Sequence, residues 1–343
     1  MIQNDVFVFD NAIHMYDLSD ANLKREDSNF VRQWHLRMGQ NFRQTASSDF
    51  YANWNPMSGF ARKWTAEDLG RLLFENSGTD MAMAQGVPLF DVYKDGFAPV
   101  KAQFEFARAF PDRALFCGAV DPMYPSVQAA CEEMERQVKE MGARSFKMYN
   151  AHVDGRSWAC DDPKIAYPLY EKGRELGIRV FQFHKGNPIT RAKLRDLSPL
   201  DIEGAAMDFP DLLFGIHHLS VPYFEETVWI ASRYPNVFLV LSGVGHAPMV
   251  APRTFKEWMG RLLRDVGADR ILWGSEAPLF GNPRPLLEWI WEMEIDEQLQ
   301  EDYGFPQITE SDKRKILGEN QARLFCVDIE AKKIELGLTR KGP

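Results

Sequence analysis

The chain of 343 residues carries 40 Lys and Arg against 49 Asp and Glu, a formal net charge of -9, with 45% hydrophobic and 26% charged residues. That composition belongs to an ordinary globular protein able to bury a sizeable core. The acidic balance excludes an extended basic face for nucleic acid or an anionic membrane surface.

No apolar run approaches the ~20 residues of a membrane helix. The four cysteines, Cys117, Cys131, Cys160 and Cys326, form no CxxC pair, and no cleavable apolar N-terminus precedes Asp5. Reduced thiols in a cytoplasmic protein are therefore expected.

Val6 to Phe9 is a continuous β-branched and aromatic run, which predicts a strand buried on both faces and ending in the polar residues Asp10, Asn11 and His14. Residues 18–62 then mix Trp, Phe and Tyr with Asn, Gln, Ser and Arg. The stretch is too long for a plain connection. It reads as a large insertion after strand 1, partly helical around Phe30 to Met38, that caps one rim or meets a partner chain. Thr65 to Glu75 opens on the cap-like pair Thr65 and Asp68 and continues at helical spacing.

From there strands and helices alternate. Strands are expected from Met81 to Val87, Ala114 to Val120, Ser145 to Tyr149, Arg179 to Phe183, Leu212 to Ile216, Val237 to Leu241 and Arg270 to Trp273. Helices are expected from Val100 to Phe110, Ser126 to Met141, Ile165 to Leu176, Phe224 to Tyr234, Thr254 to Val266 and Leu286 to Met293. Ile189 to Met207 is a variable segment, and Ile308 to Asp328 reads as helix, Gly318, helix.

Eight strands alternating with helices predict a single α/β domain over residues 1–343, a (β/α)8 TIM barrel with its insertion after strand 1. A doubly wound sheet would need a glycine-rich first turn, and strand 1 ends in DNAIH instead.

In such a barrel the C-terminal ends of the strands converge on one rim. His14 follows strand 1, Lys147 lies on strand 4, His184 ends strand 5, His217 and His218 end strand 6, and Glu276 follows strand 8. Imidazoles with one carboxylate are the donors that hold Zn²⁺ and leave a place for water. His217 is expected to point away from His218, since neighbours on a strand face opposite sides. His246 reads as a loop residue. His35 and His152 have no positional argument, and Arg62, Arg156 and Lys185 are candidates to bind a substrate carboxylate that read first as solvated surface charges.

The segments PDLLFGIHHLS (210–220), NVFLVLSG (236–243), RILWGSEAP (270–278) and ILGENQARLF (316–325) resemble the amidohydrolase superfamily, specifically its amidohydrolase-2 branch. That branch includes aminocarboxymuconate semialdehyde decarboxylase, aromatic-acid decarboxylases and lactonases. The resemblance implies that His14, His184, His218 and Glu276 are metal ligands and that His218 and Glu276 are catalytic. It places Lys147 where binuclear relatives carry a carboxylated lysine.

Two positions depart from the family pattern. The first His of the strand 1 HxH falls on Ala12, and Glu276 stands where Asp is usual. A mononuclear site is implied, zinc or alternatively Mn or Fe, acting as hydrolase or decarboxylase (a lyase) on a small organic acid, amide or lactone. The alternative is a zinc-binding, weakly catalytic subunit of a heteromeric monooxygenase of the 2-aminoisobutyrate hydroxylase type. The expected partners are a small-molecule substrate and a homo- or hetero-oligomer with a related barrel subunit.

Overall fold

Eight strands, β1 (Phe9–Ile13), β2 (Met81–Gln85), β3 (Ala114–Gly118), β4 (Ser145–Met148), β5 (Val180–Phe183), β6 (Leu213–His217), β7 (Val237–Val240) and β8 (Ile271–Leu272), form one parallel sheet in chain order. The computed structural model describes residues 5–24, 64–152, 154–189, 192–244 and 247–338. The sheet closes on itself beyond β8. Asn11 N donates to Trp273 O (3.0 Å), Glu276 N to Ala12 O (2.9 Å) and His14 N to Ala277 O (2.9 Å). The architecture is the expected (β/α)8 barrel, with helices packed around the outside.

Alternation along each strand sorts residues into two layers. Phe146, Phe181, Phe183, Phe214, Ile216 and Leu239 face outward into the layer beneath the helices. Phe9, Met81, Met83, Cys117, Val180, Phe238, Val240 and Leu272 fill the lower barrel interior. Above them the interior turns polar, with Asn11, Gln85, Ser145 and Gln182 all buried. Gln182 is the hub of that polar level: its Oε1 accepts from Asn11 Nδ2 (2.6 Å) and from His217 Nε2 (2.9 Å).

That polar interior corrects the reading of strand 1. β1 begins at Phe9, where the apolar run ends, and continues through Asp10 and Asn11. Both polar side chains find partners inside the barrel, Asn11 Nδ2 in Gln182 and Asp10 Oδ1 in the backbone N–H groups of Ala12 (3.1 Å) and Ser275 (2.9 Å). They therefore continue the strand where an apolar pattern would stop it.

The helices follow their end signals. Val127–Met141 starts from Ser126, whose hydroxyl accepts from Ala129 N, and stops at Gly142 in the left-handed conformation (φ 71°). The stretch after β5 gains a helix that the sequence pattern did not show, Asp201–Asp208. Near the C-terminus, Glu310–Arg314 runs through a wider turn at Lys315–Glu319 into Asn320–Leu324, without the expected break at Gly318.

That C-terminal helix clamps the barrel seam. A Cβ on Gly318 would lie 2.0 Å from Phe7 O, so only glycine lets the helix approach the first strand this closely. Asn320 Nδ2 donates to Ala268 O and Ile271 O (2.8 Å each), and Gln321 Nε2 to Trp273 O (3.2 Å). These bonds hold β8 and the residues on either side of it, on the approach to Glu276.

Over the rim, Leu18 and Leu23 from the start of the insertion pack with Val87, Leu89, Val92, Tyr93 and Phe97. The rest of the insertion, including the helical stretch expected at Phe30 to Met38, lies outside the described residues. Among the described residues no helix is long and apolar enough to cross a membrane. All four cysteines are free.

Candidate metal centre

Three imidazoles and one carboxylate meet at the mouth of the barrel, and each imidazole has one nitrogen committed to a backbone carbonyl. His14 Nδ1 lies 2.8 Å from Gln85 O, His184 Nε2 2.9 Å from Asn187 O, and His218 Nδ1 2.7 Å from Ser242 O. A carbonyl only accepts, so each of these nitrogens carries the proton. In a neutral ring the opposite nitrogen presents a lone pair.

Those nitrogens fall into two close contacts at the mouth. His218 Nε2 faces His184 Nδ1 at 2.8 Å, and His14 Nε2, buried and without a hydrogen-bond partner, lies 3.3 Å from Glu276 Oε2. Glu276 Oε1 is also buried without a partner, 4.0 Å from His218 Nδ1. His184 Nδ1 and His218 Nε2 are then both acceptors, and two acceptors 2.8 Å apart repel unless a cation lies between them.

A proton is a poor candidate for that cation at His184 and His218. Burial, reinforced by the facing His218 and by Lys147, pushes His184 well below the ordinary imidazole value. Burial likewise pushes His218 down to about 4, although Glu276 pulls the other way. Neutral imidazoles beside a charged carboxylate are the state a metal requires. Glu276 supplies the charge: burial raises its carboxyl, but the neighbouring His14, His218 and Lys147 hold it well below the usual carboxylate range. These residues fit a divalent ion.

The backbone that aims these groups is strained. His218, Leu219 and Ser220 have φ of 61°, 48° and 49°, and Glu276 has φ of 58°. Non-glycine residues in this region cost about 1 kcal/mol or more each and persist where the surroundings enforce them. Two glycines make room for the turn. A Cβ on Gly243 would lie 2.4 Å from His218 Nδ1, and one on Gly186 would lie 2.2 Å from the Ser220 carbonyl carbon.

Aromatic rings line the same space. Tyr16 donates its hydroxyl to Glu276 Oε2 (3.4 Å), and Tyr149 stacks on His184 with centroids 4.8 Å apart and planes at 19°. Lys147 is fully buried with Nζ 5.2 Å from the Tyr149 centroid, and burial pushes its pKa down to about 8.

The sequence pattern thus identifies residues that the fold gathers: His14, His184, His218 and Glu276 all lie at the mouth. His217 is the surprise. It was expected to point away, yet one donor atom from each of His217, His218 and Glu276 lies within 4.8 Å of the others. β6 ends at His217, and the left-handed turn at His218 folds the next side chain back over the same mouth. Both His217 nitrogens are already engaged, Nδ1 with Ser242 Oγ (2.7 Å) and Nε2 with Gln182 Oε1. It would have to give up one of these partners to bind a metal.

Ala12 sits beside β8, where a Cβ on Gly274 would lie 3.1 Å from its methyl group. Asp10 braces the seam, and burial raises its pKa to about 6. Lys185 is no solvated charge: it is fully buried and bonds both Asp201 oxygens (2.6 and 2.7 Å). Arg156 is on the surface with Asp154. His152 is buried against Asp121 (2.7 Å), a pairing that spacing does not reveal because the two residues follow different strands. His35, Arg62 and His246 lie outside the described residues.

The comparisons agree with this fold. The family model described as amidohydrolase matches residues 71–326, most of the chain. Protein fluG of Emericella nidulans is 26% identical over 156 residues, covering 43% of this chain and only 17% of that relative's length.

Among solved structures, an uncharacterised TIM-barrel protein of Bordetella bronchiseptica superposes with a TM-score of 0.65 at 20% identity, covering 94% of this chain and 99% of the other. The 5-carboxyvanillate decarboxylase of Novosphingobium aromaticivorans, complexed with manganese and 4-hydroxy-3-methoxy-5-nitrobenzoic acid, gives 0.59 at 16% identity, covering 94% and 97%. These two likenesses establish the fold. The chain belongs to the amidohydrolase family, in its amidohydrolase-2 branch, whose members are metal-dependent enzymes on this barrel.

Proposed function

We propose that the chain decarboxylates a small organic acid at a single metal ion held by His14, His184, His218 and Glu276. The observation that carries the reading is the pair of lone pairs, His184 Nδ1 and His218 Nε2, set 2.8 Å apart in a buried mouth. Nitrogen and oxygen donors of this kind suit zinc, manganese or iron. When bound, such an ion supplies a Lewis acid that polarises a substrate oxygen.

The chain's own residues support the rest. Tyr16 and His14 orient the Glu276 carboxylate, Tyr149 stacks on His184, and the Ser242 carbonyl keeps the Nδ1 proton on His218 so that Nε2 faces the mouth. Glu276, far below its usual pKa, is a weak proton acceptor. Decarboxylation is put ahead of amide or lactone hydrolysis because the manganese-holding structural neighbour is a decarboxylase. An aminocarboxymuconate semialdehyde decarboxylase-like substrate and the carboxylated aromatics of the structural neighbour are the acids to try.

Turnover in D₂O tests this. With 5-carboxyvanillate and related hydroxybenzoates, the zinc- or manganese-loaded chain is expected to release CO₂ and leave one deuterium on the vacated carbon. Turnover of an amide or lactone with no CO₂ from any acid would contradict it.

A second reading rests on Ala12: a barrel lacking one ligand of the strand 1 pair is the lesser metal subunit of a heteromeric monooxygenase. Co-purification with a second related barrel, and turnover only in its presence, would favour that reading.

A further inference from the structure

The metal reading leaves one buried charge at the mouth without a task. Lys147 lies on β4 in register with Gln182 and alternates with Ser145, whose hydroxyl contacts Met83 inside the barrel. Its side chain therefore also projects into the interior, at the level of the imidazoles. It is fully buried, and Nζ has no hydrogen-bond partner. An ammonium offers three donors and accepts nothing, and burying it without acceptors is among the costlier things a fold can do. The face of Tyr149, 5.2 Å away, compensates only in part.

The other charges nearby do not neutralise the mouth once a divalent ion is present. Glu276 contributes one buried carboxylate, and the surrounding imidazoles add no negative charge. Asp10 adds a second buried carboxylate, but its Oδ1 is occupied by two backbone N–H groups at the seam. With Lys147 as an ammonium, a divalent ion leaves positive charge in excess even when both carboxylates are counted. Low-dielectric surroundings make that excess expensive until an anion enters.

We propose that Lys147 receives the carboxylate of the substrate, so that the site takes small organic anions and rejects their neutral isosteres. The proposal rests on the metal-enzyme reading and adds a specificity residue to it. The unpartnered Nζ provides the hydrogen bonds, the Tyr149 ring provides a flat wall beside it, and the anion restores charge balance.

Calorimetric titration of metal-reconstituted protein with benzoate and with neutral benzamide tests this, together with metal content measured on the same samples. The wild type is expected to prefer benzoate by about 10-fold or more. Lys147→Met keeps the unbranched shape without the charge, and it should bring the two affinities together while metal content stays unchanged and the thermal midpoint does not fall. Lys147→Gln serves if the Met variant does not fold.

An undiminished benzoate preference in the variant overturns the proposal, as does a wild type that does not distinguish the two probes. A fall in metal content would make Lys147 a metal donor. A carbamate resonance from ¹³C-bicarbonate, present in the wild type and lost in the variant, would make it a carboxylated lysine. Either result overturns the anion role. A wild type that retains no metal defeats the metal reading separately, because the benzoate preference is still measurable in that sample.

Discussion

At the scale of single residues, what defines this site is which nitrogen of each imidazole is free. Gln85, Asn187 and Ser242 each fix a proton on the outer nitrogen through a carbonyl oxygen, and the inner nitrogens are left to a cation. Outer partners of this kind commonly set ligand orientation in metal proteins. Glu276→Gln keeps the size of the side chain and removes the charge. It is expected to weaken metal affinity by about 100-fold, at the upper end of what altered ligation costs, read by competition with a chromogenic chelator. An unchanged affinity would remove Glu276 from the ligand set. His217 differs from its neighbours in having both nitrogens engaged by side chains, so His217→Asn should lower metal affinity less than His218→Asn does.

At the scale of elements, the strand-to-helix turns do the aiming. The turn after β6 places three successive non-glycine residues at positive φ, and it is accommodated by Gly243 and Gly186 on neighbouring loops. Gly243→Ala forces a Cβ against the His218 ring at a φ of 72°. It should destabilise the protein by about 1–3 kcal/mol and also weaken metal binding. Gly142→Ala is the control: its φ is 71°, but nothing lies within 4 Å of the added Cβ. It should cost stability in denaturant titrations and leave metal affinity alone. Equal effects on metal affinity would mean that the turn does not position His218.

The sequence made the strands legible because most are short apolar runs bounded by polar residues, and the helices because Ser126 and Gly142 mark their ends. It did not show that β1 runs through Asp10 and Asn11, since their partners, Gln182 and Ser275, are distant in the chain. It did not show the turn at His218–Ser220 either, because no glycine or asparagine there signals positive φ. Helix Asp201–Asp208 was hidden by its short length and the absence of a side-chain cap. The site residues were visible as strand-end histidines, whereas the placement of His217 and the pairing of Lys185 with Asp201 required the three-dimensional register.

At the scale of the whole molecule, the buried neutral imidazoles tie stability to pH. His218 has its pKa lowered to about 4 by burial in the folded chain, against the ordinary 6.5 when unfolded. Between those values the unfolded chain binds the proton and the folded chain does not, so stability rises with pH in that window and is lost as pH falls through it. One such group contributes about 3 kcal/mol, and His184 and His217 shift in the same direction. Urea midpoints of the metal-free protein should decline steeply as pH falls from 6.5 toward 4. A flat profile would mean that these rings are protonated in the folded state.

Among the described residues His14, Lys147, His184, His218 and Glu276 are buried together at the barrel mouth. Elemental analysis of the chain, reconstituted with zinc or manganese and dialysed against metal-free buffer, tests the central claim most directly. About one metal ion per chain is expected in the wild type, and its loss is expected in both His184→Ala and His218→Ala. A folded wild type that retains no metal, or variants that keep it, would contradict the account.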